Sequence, residues 1–245
     1  MHMIVYGIAG AVLILVASFL RRTDKYEDVS IATFILVFVM LLPVIAFLEG
    51  WARPLTWDAR LRVWDLALGL DGFALSRWCN RHNWAIIILS TVYYSLPLIA
   101  AASWVFERSR LLIRACIIGG LLTLPFYLLV PACGPHYSFA EFPWRAEVQS
   151  GLIAVSIYHP RNCFPSMHLA WAILLFVNAG DRRWKTFLGI YAILTAISAV
   201  ASGEHYVVDM IAAVPFALAV QALAEARVKI PLLQTHIEAD GIEND

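Results

Sequence analysis

Two short runs of this 245-residue chain carry side chains able to move protons and to attack an electrophile. They are Phe164-Pro165-Ser166-Met167-His168 and His205-Tyr206-Val207-Val208-Asp209. A spacing of four places His205 and Asp209 on one helix face, where the carboxylate can hold and polarise the imidazole. His168, near the start of a second helix, can supply or accept a proton across the gap. Pro165 suits a first helical turn and Ser166 can cap it, so the free N–H groups there form an anion site favoured by the helix dipole. Each run stands where a strongly apolar segment begins, hence at a membrane boundary. Together they point to phosphoryl-type chemistry on a substrate that resides in the membrane. The plainer reading is an Asp–His pair that only ties two helices together.

Apolar helices must position these groups. The chain is 61% hydrophobic and 15% charged, with a mean hydropathy of +0.72. Ordinary soluble domains are roughly 45–50% apolar and about 25% charged. Seven spans are expected, at about 3–20, 31–48, 84–106, 111–131, 164–179, 184–202 and 206–226, each near the ~20 apolar residues that cross a bilayer. The first is read as a retained helix, because Arg21 and Arg22 follow its apolar run and no basic segment precedes it.

Trp57, Leu61, Trp64 and Leu68 recur at helical spacing among Asp58, Arg60, Arg62 and Asp65. They predict an amphipathic helix lying in the interface, stopped at Gly69 or Gly72. The expected fold is therefore all-α, a polytopic membrane bundle of about seven helices with one interfacial helix. Residues 1–230 form a single catalytic domain, and 231–245 form a polar tail.

Basic residues set the expected orientation. Alternate short loops hold eleven of the eighteen Lys and Arg, in clusters at 21–25, 108–114, 182–185 and 227–229. Such clusters face the cytoplasm, which puts both histidine runs on the extracytoplasmic face of a bacterial-type plasma membrane. A net charge of zero gives no field for nucleic acid. Four cysteines without a Cys-x-x-Cys pair argue against a zinc or iron–sulfur site. Cys133 and Cys163 flank one loop, and either a disulfide or two separate thiols is open to them. Oligomeric state is not legible.

The pair Phe164-Pro-Ser-Met-His168 and Ser202-Gly-Glu-His205-Tyr-Val-Val-Asp209 resembles the type 2 phosphatidic acid phosphatase superfamily, which includes lipid phosphate phosphatases and vanadium haloperoxidases. The similarity is greatest to its lipid phosphotransferase branch, with inositol phosphorylceramide synthase and sphingomyelin synthase. It covers about residues 120–220 and implies a six-helix core, here preceded by one extra N-terminal helix. Carried over residue by residue, the resemblance makes His205 the nucleophile that becomes a phosphohistidine and Asp209 the carboxylate that orients it. His168 becomes the general acid and then the base. No metal or other cofactor is implied.

Two departures bear on the substrate. The phosphatase pattern carries an arginine six residues before the nucleophile, where this chain has Ala199. Its Lys-x6-Arg-Pro stretch is replaced by Val130-Pro-Ala-Cys-Gly-Pro-His-Tyr-Ser-Phe139, without Lys or Arg. A phosphomonoester carries about −1.5 to −2 at neutral pH and a diester only one charge, so losing those cations favours a diester. The candidate phosphate-binding groups are Arg161, Ser166, His136 and Arg145. Arg161 stands nearest in sequence and is able to bind bidentately. Plainer readings are a rim arginine on lipid headgroups and a histidine that merely belongs to a turn. Glu204 reads as an exposed residue complementing a helix dipole.

The expected function is transfer of a phospholipid headgroup phosphate, inositolphosphotransferase-like, to a lipid hydroxyl or to water. A lipid phosphate monoester phosphatase and a non-catalytic lipid-binding or transport protein are the alternatives.

Overall fold

The computed structural model describes residues 2–21, 25–52, 55–143 and 161–226. Eleven helices occur among these residues, and no strand. They are α1 (His2–Arg21), α2 (Lys25–Ala52), α3 (Asp58–Ala67), α4 (Gly72–Asn80), α5 (Asn83–Tyr94), α6 (Leu96–Glu107), α7 (Arg110–Leu129), α8 (Pro135–Ser138), α9 (Met167–Asn178), α10 (Arg182–Ala201) and α11 (Val207–Glu225).

Three of them, α7, α10 and α11, are long and apolar enough to cross a membrane. The α5–α6 pair, bent by 53° at its break, makes a fourth if it is one span. Every expected span thus contains helix, but helix length and composition do not establish seven crossings. The fifth expected span is the twelve-residue α9, short because Ser166 caps it by accepting from the Leu169 N–H at 3.4 Å and Asn178 ends it.

The helical core is built around α9, whose Leu169, Ala170, Ala172, Leu174 and Leu175 are buried against α7, α10 and α11. Small residues permit the close approach. Ala213, Ala217, Val220 and Ala224 form one buried stripe along α11. Gly119 of α7 sits where an added Cβ would lie 3.5 Å from Val220. Large apolar side chains such as Leu121, Ile193 and Leu218 point outward instead. Small residues inside and large ones outside is the pattern of helices packed in lipid. This is an integral membrane protein.

A second cluster joins α1, α2 and α6 through Ala11, Ile14, Ala32, Ala101, Trp104 and Val105. Buried Asp28 anchors it, accepting from Trp104 Nε1 at 3.0 Å and from Arg108 Nη2 at 2.7 Å.

The expected amphipathic helix is α3, which ends at Ala67 before a turn carrying Gly69 at φ +73°, and α4 follows that turn. The inward face of α3 carries two carboxylates. Trp64 and Leu68 are exposed, while Asp58, Leu61 and Asp65 are buried. The rotation follows from hydrogen bonding: both carboxylates are consumed by backbone N–H groups of the loops above.

Candidate active site

Three loops converge at the end of the bundle where α9 and α11 begin. Residues 131–136 and 161–166 pair through the Cys163 N–H to the Ala132 carbonyl at 3.0 Å. The third loop, 202–206, joins them through the His136 N–H to the Gly203 carbonyl at 2.9 Å. Two glycines make the crossing possible. A Cβ on Gly134 (φ +100°) would lie 2.5 Å from the Glu204 carbonyl oxygen, and one on Gly203 (φ +74°) would lie 2.4 Å from the Phe142 ring.

α3 fastens this assembly from one side. Asp58 accepts from the N–H groups of Cys133 at 3.1 Å and Gly134 at 2.8 Å, and from the Tyr206 hydroxyl at 2.8 Å. Asp65 accepts from the Val207 and Val208 N–H groups at 2.9 and 2.8 Å. It thereby satisfies two of the orphan donors at the start of α11 and complements its dipole.

His205 and Asp209 lie in the centre, both buried. Asp209 Oδ2 accepts from the Tyr206 N–H at 2.8 Å and from the Cys163 thiol at 2.8 Å, and stands 3.5 Å from His205 Nδ1. The shorter contact of Nδ1 is with the Cys163 carbonyl, at 2.8 Å. A carbonyl can only accept, so Nδ1 carries a hydrogen, and in the neutral ring Nε2 is then the nitrogen with the lone pair. The Cys163 thiol is held protonated: burial raises it, and the charges of Asp209 and Asp58 raise it further. The Tyr206 hydroxyl is pushed up by burial and then by Asp58, so it too remains a donor.

His168 faces this pair, its ring centroid 6.2 Å from that of His205. It stacks on Tyr93 at 3.9 Å with an interplanar angle of 18°. Its Nε2 is buried and, among the described residues, has no hydrogen-bond partner.

The other expected site residues are distributed differently. Ser166 is fully buried, and its hydroxyl is engaged as the cap of α9. Arg161 is also fully buried and donates from Nη1 to Cys133 Sγ at 3.3 Å, tying the two paired loops together. His136 opens α8 and lines a cavity of about 160 Å³ together with Tyr94 and Glu204. Arg145 lies outside the described residues. Cys133 and Cys163 are both free thiols. Glu204 is half-buried, contrary to the exposed position expected of it. Burial raises its carboxyl, against a smaller opposing pull from His205.

Cys163, His205 and Asp209 present potential metal-ligand atoms within 4.8 Å of one another. The hydrogen bonds among them account for that closeness. Asp58, Asp65, Cys163 and Tyr93 were not read as site residues from the sequence. A signal existed for the first two, since Asp58, Leu61 and Asp65 share one face of α3. Cys163 and Tyr93 had none, because their roles depend on distant segments coming together.

A family model described as the PAP2 superfamily matches residues 59–223. No curated protein and no solved structure matches the chain significantly.

Proposed function

Because the chain belongs to the PAP2 superfamily and is thus a phosphatase- or phosphotransferase-type lipid enzyme, we propose that it transfers a phospholipid headgroup phosphate through a phosphohistidine at His205. In the first step the Nε2 lone pair attacks phosphorus and the P–O bond to the diacylglycerol oxygen breaks. His168 gives that oxygen its proton, and the phosphate with its headgroup stays on Nε2. In the second step His168 takes the proton of an acceptor hydroxyl, the acceptor oxygen attacks phosphorus, and the P–N bond breaks. The acceptor is a lipid hydroxyl or water. Asp209 stabilises the imidazolium character that develops on His205.

One observation carries this reading. The Nδ1–H of His205 is committed to the Cys163 carbonyl at 2.8 Å with Asp209 Oδ2 at 3.5 Å, which leaves Nε2 as the free nucleophilic nitrogen opposite His168. Buried Arg161 lies behind Cys133 and adds positive charge near the site, while Ala199 leaves the usual arginine position empty of charge. A singly charged diester needs less neutralisation than a dianionic monoester, so a diester donor fits better. The resemblance favours an inositol-type headgroup for that diester. The basic clusters at 182–185 and 108–114 favour an active site on the extracytoplasmic face of a plasma membrane.

The test is rapid-quench trapping with donor lipid labelled at phosphorus. Acid-labile label is expected on the wild-type protein and none on His205→Ala. His168→Ala should lose about 10²–10⁴ in kcat. Label that persists in His205→Ala would refute the nucleophile assignment. Phosphate release from phosphatidate as the dominant turnover would replace transfer with monoester hydrolysis. Lipid movement between leaflets that survives His168→Ala, in a protein without any turnover, would favour a transport role.

A further inference from the structure

Glu204 is the residue next to the proposed nucleophile, and its carboxylate lines the cavity of about 160 Å³ with Tyr94, His136, Ser90, Ser202 and Leu89. A cavity of roughly 150 Å³ takes a molecule the size of benzene, so there is room for a small headgroup but not for an acyl chain. Among the described residues the Glu204 carboxylate makes no ion pair and no hydrogen bond, while its backbone carbonyl accepts from the Cys163 thiol at 3.3 Å. His205 is the one group that offsets its burial. Tyr94 lines the same cavity as Glu204, so an aromatic ring and a carboxylate border one space.

A half-buried carboxylate that forms no ion pair and accepts no hydrogen bond gains from a ligand that supplies one. In the proposed reaction the headgroup stays bound through both steps, and this cavity adjoins the site through Tyr94, whose ring lies 5.3 Å from that of Tyr93, the ring on which His168 stacks. Resting on that reading of the site, we propose that the Glu204 cavity is the headgroup subsite and that it selects phosphodiesters bearing an ammonium group. The ammonium pairs with the Glu204 carboxylate and rests against the Tyr94 ring as a cation–π partner. Consecutive residues lie about 3.8 Å apart at Cα, a separation bridged by an amine two carbons from its phosphate oxygen. A neutral polyol would leave the carboxylate uncompensated, and a dianionic monoester would be repelled by it. The subsite therefore points away from the inositol-type headgroup that the resemblance suggests.

The experiment uses full-length protein in liposomes of phosphatidylcholine, phosphatidylethanolamine, phosphatidylinositol, phosphatidylglycerol or phosphatidate, each with diacylglycerol or ceramide as acceptor. The ammonium lipids are expected to turn over at least about tenfold faster in kcat/KM, the scale of one charge-assisted contact. Glu204→Gln should collapse that ratio towards one, and Glu204→Asp should retain most of it. Preference for phosphatidylinositol or phosphatidylglycerol, or a ratio unmoved by Glu204→Gln, would overturn the proposal.

A second readout separates binding from chemistry. His205→Ala protein, examined by native mass spectrometry after exposure to the same liposomes, should retain ammonium lipids over phosphatidylinositol. The His205→Ala/Glu204→Gln double variant should not. Equal retention by both variants overturns the subsite even where no turnover is measurable, whereas selective retention supports it whatever becomes of the phosphohistidine.

Discussion

At the scale of single residues, the site differs from a simple His–Asp couple because Cys163 enters it twice. Its carbonyl fixes the tautomer of His205, and its thiol shares Asp209 Oδ2 with the Tyr206 N–H. Cys163→Ala keeps the carbonyl and removes the thiol donor. Its kcat is expected to fall by about tenfold, the worth of a hydrogen bond to a charged group, and Cys163→Ser should restore most of the loss. Steady-state rates on the three proteins decide this.

Glu204 yields a second prediction, from its titration. Burial holds its folded-state carboxyl above the ordinary value, so the folded chain favours the protonated form. The associated stability is full below the unfolded-state value and is lost as pH rises through the folded one. Glu204→Gln should therefore gain stability over wild type as pH rises from acidic to neutral. Melting curves in detergent across that range, converging at low pH, would bear this out. Curves separated equally at every pH would not. Increased stability alongside lost headgroup preference is the usual trade at a binding group.

At the scale of elements, α3 is a support of the site. Asp65 holds the first turn of α11, which carries Asp209, and Asp58 holds the loop that carries Cys133 and Gly134. Asp65→Asn keeps the shape and one acceptor but loses the charge that complements the helix N-terminus. It should cost about 1–2 kcal/mol, as for a lost cap, and lower kcat more than it raises KM. Thermal unfolding and kinetics together test this; an unchanged kcat in a destabilised protein would make α3 purely structural.

The rotation of α3 is decided by contacts that periodicity does not report. Tryptophan and leucine spacing marked an amphipathic helix, and of its apolar positions Leu61 is buried while Trp64 and Leu68 are exposed. In lipid an exposed apolar side chain costs nothing, whereas a loop N–H without an acceptor costs several kcal/mol. Hydrogen-bond demand, not hydrophobicity, sets the rotation of that helix.

At the scale of the whole molecule, orientation is the property most directly measurable. Glu141 lies near the site loops and its side chain is 59% exposed, whereas Arg182 opens α10 at the opposite end and is exposed. A membrane-impermeant maleimide should label Glu141→Cys in intact cells and Arg182→Cys only after permeabilisation. Background is low, because three of the four native cysteines are buried. The reverse pattern would place the site on the cytoplasmic face. The matched region begins at residue 59, so α1 and α2 lie outside it, and they are joined to the bundle through Asp28, Trp104 and Arg108.

The sequence by itself determined the all-helical membrane character, because runs of apolar residues need only their own composition to be read. It also marked His168, His205 and Asp209, because a histidine four residues before an aspartate states its geometry locally. Only the tertiary structure decided what surrounds them. The carbonyl that sets the tautomer, the thiol on Asp209, the carboxylates of α3 and the cavity around Glu204 each join segments tens of residues apart. No periodicity encodes such meetings. They follow from small residues letting helices close together, and from buried polar groups that must find partners where lipid offers none.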